Sequence, residues 1–354
     1  MYQRDEEKVQ TYRSKLSSIE NEVTTLKKRY LFEEIFNAVS TIEKNLTTLD
    51  KQLKTIRQKG FIYGKDWEQL ISDFKNELPG IKKNIQKESD SIANIHSFTL
   101  DKITSEIDSI RLDFEKTPGA YYSYIDSVES KIFPIKEFVS EAETKLKTMI
   151  QPIEERIGVL ISKVNRINNG FEHLEKATFK LLEGENLVDV WDAQYFKEGK
   201  KGPKGFIFLT DKRFRFEQDE NVVVSRKFLV VAKREHRQNL LIDEPIGLII
   251  SSKDSEKGFF LAKKEMLNLE FGQGAKVRKA IFRTTIDSKE VDDIIDSVIS
   301  GGIASTMVPE AGKKAEKPLP KIDRCPACGA MLTTPIVKGM TYIKCEYCGK
   351  IIYL

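Results

Sequence analysis

Cysteine occurs four times in 354 residues, and all four fall within the last thirty: Cys325-Pro-Ala-Cys328-Gly329 and Cys345-Glu-Tyr-Cys348-Gly349. Each C-x-x-C pair presents two thiolates from one tight turn, and the glycine that follows relieves the steric strain of left-handed backbone. Two such turns offer four soft ligands at tetrahedral corners, about 2.3 Å from a central zinc ion. They leave no open coordination position, the mark of a structural site. One structural zinc ion per chain is therefore expected on Cys325, Cys328, Cys345 and Cys348. Two disulfides are the competing reading, and they do not explain why cysteine is missing from the first 324 residues. Between the pairs, residues 331–337 and 339–344 read as two strands with a turn near Lys338-Gly339.

With its paired knuckles and intervening hairpin, this stretch resembles the zinc-ribbon family over about residues 323–354. The resemblance implies a small metal-closed module whose use is binding, and a protein partner is the first expectation. Zinc ribbons are also common in transcription and RNA machinery. Lys313, Lys314, Lys317, Lys321, Arg324, Lys338, Lys344 and Lys350 make the tail basic, so nucleic-acid binding is the rival function. Tyr342, Tyr347 and Tyr353 are the only aromatic side chains there that a base could stack on.

Charge over the whole chain is near balance, +4 from 58 basic and 54 acidic side chains, which argues against a DNA-coating protein. Charged residues make up 32%, a composition suited to long solvated helices. The N-terminus Met1-Tyr-Gln-Arg-Asp-Glu-Glu-Lys lacks the apolar stretch of a signal peptide, and no run approaches a membrane span. Cysteine kept for metal points to a reducing compartment. The expected location is the cytoplasm, with peripheral attachment at the inner membrane surface if the chain binds lipid.

Residues 1–180 read as a helical coiled-coil region. Val9, Tyr12, Leu16, Ile19, Val23, Leu26 and Tyr30 alternate steps of three and four. After a phase change at Tyr30-Leu31-Phe32, Ile35, Val39, Ile42, Leu46, Leu49, Leu53 and Ile56 resume the pattern. In a third tract Ile125, Ile132, Val139, Leu146, Ile153, Leu160, Ile167 and Leu174 repeat every seven, with Val128, Ile135, Ala142 and Met149 on the second seam position. Such a repeat keeps one apolar stripe against a partner helix. Breaks are expected at Gly60–Gly64, Pro79-Gly80 and Thr117–Gly119, and Pro134 and Pro152 should each kink or interrupt the third tract. An intramolecular bundle and a homodimer use the same seam, and both remain open.

From Leu182 the period changes to two. Strands are expected at Gly205–Thr210 and Arg213–Glu217, joined by Asp211-Lys212. Further strands are expected at Val222–Val224, Lys227–Ala232, Leu240–Asp243, Ile246–Ser251, Gly258–Ala262 and Leu267–Phe271. A helix over Ser288–Ser300 should start at the N-cap Asp287, with Glu290 completing a capping box, and stop at Gly301-Gly302. The opening Leu182-Glu-Gly-Glu185, followed by Gly205-Phe-Ile-Phe-Leu-Thr-Asp-Lys-Arg-Phe214, resembles GRAM and bacterial PH-like domains over about residues 182–301. The resemblance implies a PH-like β-barrel with a C-terminal helix. Residues 302–322, rich in proline and lysine, read as a flexible linker to the ribbon at 323–354.

No nucleophile elbow or phosphate-binding loop is present, and His96, His173 and His236 lie in separate regions. No enzymatic site is expected. The most suggestive polar feature is basic: Lys197, Lys200, Lys201, Lys204 and Lys212, with Arg213 and Arg215 beside them. Lys197, Lys200, Lys201 and Lys204 lie in a glycine-rich loop at the mouth of the expected barrel and are candidate ligands for anionic lipid phosphates. A solvated hairpin loop whose lysines guard a sheet edge is the alternative. The chain is thus expected to be a non-enzymatic adaptor, tethering partners through a coiled coil, a PH-like domain docking lipid or peptide, and a zinc ribbon.

Overall fold

The computed structural model describes residues 2–197, 200–227, 230–257, 264–309 and 320–354. The chain divides into two units, Met1–Leu49 with Gln69–Ile161, and Asp50–Glu68 with Ser162–Leu354. Four helices, α1 (Tyr2–Arg29), α2 (Glu33–Gln58), α3 (Trp67–Phe114) and α4 (Tyr122–Lys176), account for the heptad-patterned half. The phase change falls where expected: Phe32, 2% exposed, takes a left-handed φ of 49° between α1 and α2.

In the first unit the helices form an antiparallel bundle whose register is written in its ion pairs. Tyr12 to Asp126 and Arg29 to Glu143 both link residues 114 apart, so α1 and α4 run parallel. Arg13–Glu115, Arg111–Glu20 and Lys27–Asp101 span 102, 91 and 74 residues, a shrinking separation that sets α3 antiparallel to α1. Lys131–Glu106 and Lys145–Glu88 do the same for α3 and α4. Such exposed pairs contribute little stability each. Burial supplies it: Leu16, Ile19, Val23 and Leu26 of α1, Ile92, Leu100, Ile103 and Ile107 of α3, and Ile125, Val128, Ile132 and Val139 of α4 are all below 5% exposed. The seam proposed for a homodimer is therefore buried within one chain, and the bundle is intramolecular.

Two sequence expectations about these helices need correction. Pro79-Gly80 does not end a helix, and neither Pro134 nor Pro152 interrupts α4. All three prolines are exposed, so the carbonyl each leaves without an N–H partner is solvated by water. The second seam position also drifts. Met149 is only half-buried, and Ile150, Ile157, Val164 and Phe171 take over the buried line. A straight helix with 3.6 residues per turn slips about 20° per heptad against a strict repeat of seven.

The second unit is built on one antiparallel seven-stranded sheet: β1 (Leu187–Lys197), β2 (Lys200–Thr210), β3 (Arg213–Lys227), β4 (Val230–Pro245), β5 (Ile249–Lys257), β6 (Lys264–Phe271) and β7 (Lys279–Thr284), in the order β4-β3-β2-β1-β7-β6-β5. Eight short strands are expected from the sequence and the sheet has seven, with different identities. β1 and β7 were missed, while the short segments around Val222–Val224 and Lys227–Ala232 belong to one long β3–β4 hairpin. The segment Gly258–Ala262 lies outside the described residues. Nor is the sheet closed into a barrel, since β4 and β5 are its edges.

Helix α5 (Ser288–Ile299) packs against β5 and β6 and buries Val291, Ile295 and Val298 completely. Its Asp292 accepts from the Ser252 hydroxyl and from the Asp254 N–H of the β5 edge. Asp287 caps it as expected, accepting from Lys289 N at 2.8 Å, and Gly301 with φ 80° ends it. Glu290 does not complete a capping box; it pairs instead with Arg166 at 2.9 Å.

The end of α4 belongs to this unit, so the sheet unit begins before residue 182. The Arg166 guanidinium grips buried Asp189 of β1 through two nitrogens, at 2.9 and 2.7 Å. Burial pushes that carboxyl upward and the guanidinium opposes it. His173 stacks on Phe206 at 3.7 Å, and Thr178 donates through N and Oγ1 to Glu217. Residues 302–309 are also held: Thr306 O accepts from Lys65 N, and Val308 N donates to Ile62 O. Of the expected linker, 310–319 lie outside the described residues.

Leu160→Asp should test the bundle. Leu160 is 4% exposed, and an uncompensated charge there should destabilise by roughly 3–5 kcal/mol. Sedimentation should show unchanged mass and circular dichroism reduced helicity; a halved mass would mean that the seam joins two chains.

Candidate metal centre and the charge network beside it

The last 35 residues are organised by two superimposable turns. Gly329 N donates to Cys325 O at 2.8 Å and Gly349 N to Cys345 O at 2.9 Å, with φ of 71° and 75° at the two glycines. Cys325 N then bonds to Ala330 O, and Cys345 N to Lys350 O. On either side of the second turn β8 (Tyr342–Lys344) pairs with β9 (Ile351–Tyr353), placing Ile343 and Ile352 beside Cys325 and Cys345 in a small core. The expected strand pair at 331–337 and 339–344 is replaced by this one, because the hairpin turns through the second knuckle. Met331 contributes an isolated bridge to Arg324.

All four sulfurs lie within 4.8 Å of one another, and Cys325–Cys348 and Cys328–Cys345 are 3.7 Å apart. A tetrahedron with 2.3 Å metal–sulfur bonds has edges of about 3.8 Å, whereas a disulfide needs about 2.0 Å. The geometry therefore fits a metal ion held by four thiolates and does not fit two disulfides. Burial would raise Cys325, but N–H donors from Ala327 and Cys328 and the nearby sulfurs outweigh it and hold the thiol at about 7. At Cys328 the Ala330 N–H lowers the thiol, but hydrogen bonds with Cys348 and burial carry it up to about 12. A cation at the centre removes this conflict by stabilising all four thiolates together.

The histidines are placed elsewhere. His96 meets Phe138, His173 meets Phe206, and His236 Nε2 lies 2.7 Å from Asp219. Among the described residues the four cysteines are the one group of three or more metal-ligating side chains, and no helix is long and apolar enough to cross a membrane.

Arg213 and Arg215 are not surface cations. The Arg215 guanidinium is 2% exposed and clasps Glu185, itself 0% exposed, at 2.5 and 3.0 Å. Thr210 Oγ1 and Leu182 N also donate to Glu185, and Phe179 lies under the guanidinium at 4.8 Å. Arg213 Nε pairs with Asp243 at 2.5 Å, and Arg215 Nε lies 2.9 Å from the same oxygen. Leu182, Glu185, Thr210 and Arg213, noted for a family resemblance, are thus residues of a structural network. Alternation along β3 does put Phe214 and Phe216 on one face and the arginines on the other, but both faces are covered.

Strand direction separates the candidate lysines. The β1–β2 and β3–β4 tips share one end of the sheet; the Asp211-Lys212 turn lies at the other. Lys197 pairs with Lys200 across the β1–β2 tip, and Lys200, Lys201 and Lys204 are exposed with no ion pair among the described residues. Lys212 is not with them: its ammonium donates to Glu183 O at 2.9 Å. Sequence reasoning missed Arg283 and Lys264, which line an open groove of about 640 Å³ together with Lys204. Gln194 pairs with Lys204 on one side and Arg283 on the other, so the two cations flank one β1 residue. That row depends on β7, which the alternation pattern did not disclose.

No family model matches the chain, and neither does any curated protein. Among solved structures it is similar to the Vps36 N-terminal PH domain, at 15% identity over 34% of this chain and 86% of that one, with a TM-score of 0.22. It is also similar to PDZ-RhoGEF DH/PH domains in complex with GTP-gamma-S-activated RhoA, at 9% identity over 77% and 94%, with a TM-score of 0.26. The DH/PH domains of p115-RhoGEF follow at 10% identity over 82% and 94%, with a TM-score of 0.20. Scores this low do not establish a shared fold.

Two outcomes check this site. Freshly purified reduced protein should carry one metal ion per chain, and Cys328→Ser should abolish it while leaving the helical signal intact; less than about half an equivalent in the wild type counts against the site. Glu185→Ala should destabilise the sheet unit by about 3–5 kcal/mol in denaturant, because it leaves buried Arg215 with only Asp243, a partly exposed carboxylate shared with Arg213, as counter-charge.

Proposed function

We propose that this chain is a non-enzymatic adaptor whose zinc ribbon is structural and whose sheet unit, PH-like in strand number and final helix, docks on an anionic membrane surface. The exposed lysines at the start of β2 carry this reading: Lys200, Lys201 and Lys204 form no ion pair among the described residues, and the groove beside Lys204 adds Arg283 and Lys264 along with the carboxylates of Asp192, Asp219, Glu220 and Glu265. An unpaired basic cluster on a projecting hairpin is attracted to anionic lipid by roughly 1 kcal/mol per residue. Zinc is the ion that suits four thiolates with no open position. The helical bundle then serves as a rigid spacer, its parallel and antiparallel arms held in register by ion pairs.

Neutralising Lys200, Lys201 and Lys204 together should weaken binding to phosphatidylserine vesicles about a hundredfold at low salt. The thermal midpoint should not move, because these exposed charges, which stand on β2 rather than in the loop expected from the sequence, contribute little to stability. Wild-type protein that ignores such vesicles would eliminate the lipid reading and leave a peptide as the docking target.

A further inference from the structure

The ribbon is seated on the sheet rather than swinging free on a tether. Arg213 Nη1 donates to Gly339 O at 2.9 Å, and Gly247 N donates to Lys338 O at 3.2 Å. A Cβ on Gly339, whose φ is 87°, would stand 1.8 Å from Lys212 O, so no larger residue fits against that turn. From the sheet side, a Cβ on Gly247 would stand 2.8 Å from Val337 Cβ. Two glycines, one in each module, thus let two backbones meet.

The other end of the same ribbon loop is tied to the metal centre. Thr333 and Thr334 hydroxyls each donate to Glu346 at 2.6 Å, and Glu346 directly follows Cys345 in the second knuckle. On the sheet side, Arg213 also binds Asp243 through Nε and through Nη2 to its carbonyl, and Asp243 faces Arg215. A continuous path therefore runs from the knuckle through Glu346, the 333–340 loop and Arg213 to the buried Arg215–Glu185 pair.

We propose that the metal-loaded ribbon is an intramolecular clasp: the four-sulfur site shapes the 333–340 loop, and that loop grips the Lys212–Arg213 turn and Gly247 of the sheet. Metal occupancy is thereby linked to the rigidity of that end of the sheet, opposite the lysine-bearing tips. The linkage is reciprocal, because any factor by which the ion favours docking is the factor by which docking favours the ion. The inference rests on the cysteines holding zinc, and the experiment separates the two.

The full chain, reduced and with its zinc content measured, is compared with and without chelation by hydrogen exchange. Amides 212–215 and 245–248 should exchange about tenfold faster after chelation, within the usual range of coupling between sites, while amides of α3 do not change. Gly339→Ala should show that faster exchange with zinc still bound, and should yield zinc to a competing chelator about tenfold more readily. Gly247→Ala perturbs the same contact without touching the ribbon sequence, and it decides the matter if the first variant fails to fold. One zinc bound, with equal protection in both states and unchanged chelator competition in Gly247→Ala, overturns the clasp alone. Less than about half an equivalent of zinc in the wild type overturns the metal assignment and the clasp together.

Discussion

An arginine side chain 2% exposed has to be met by a carboxylate, and the Arg215–Glu185 pair is the constraint around which the second unit is arranged. Each of Glu185's oxygens is used, by the guanidinium and by Thr210 and Leu182 N. The pair therefore positions the entry to β1, the β2–β3 turn and the segment after α4, where Phe179 covers the guanidinium. A buried ion pair adds little net stability compared with apolar packing, but losing one partner is severe.

The antiparallel order divides labour between the two ends of the sheet. At the turn end, Arg213, Asp243, Glu185 and the ribbon loop lock the backbone. At the hairpin end, tips with exposed lysines project without such partners among the described residues.

Within the first unit, ion pairs and burial act at different levels. Burial of the seams stabilises the bundle, and the ion pairs, each weak in water, select which side chains lie level with one another. The exposed prolines show how strongly burial dominates: α3 and α4 continue through them because the apolar stripe on the opposite side is uninterrupted.

What the sequence determined by itself was local: the heptad stripes, the phase change at Phe32, the capped α5 and the cysteine set, since each depends on residues close in the chain or on a rare residue type. The knuckles were legible because glycine after each pair permits the left-handed turn that brings two sulfurs together. Only the tertiary structure decided that the seams close within one chain, that half-buried Arg213 and buried Arg215 are structural cations, and that Lys212 stands apart from the other lysines. Each of these turns on a partner far away in sequence, as Arg215 on Glu185 and Arg213 on Gly339. Alternation states which face a side chain takes; what covers that face is set by the fold.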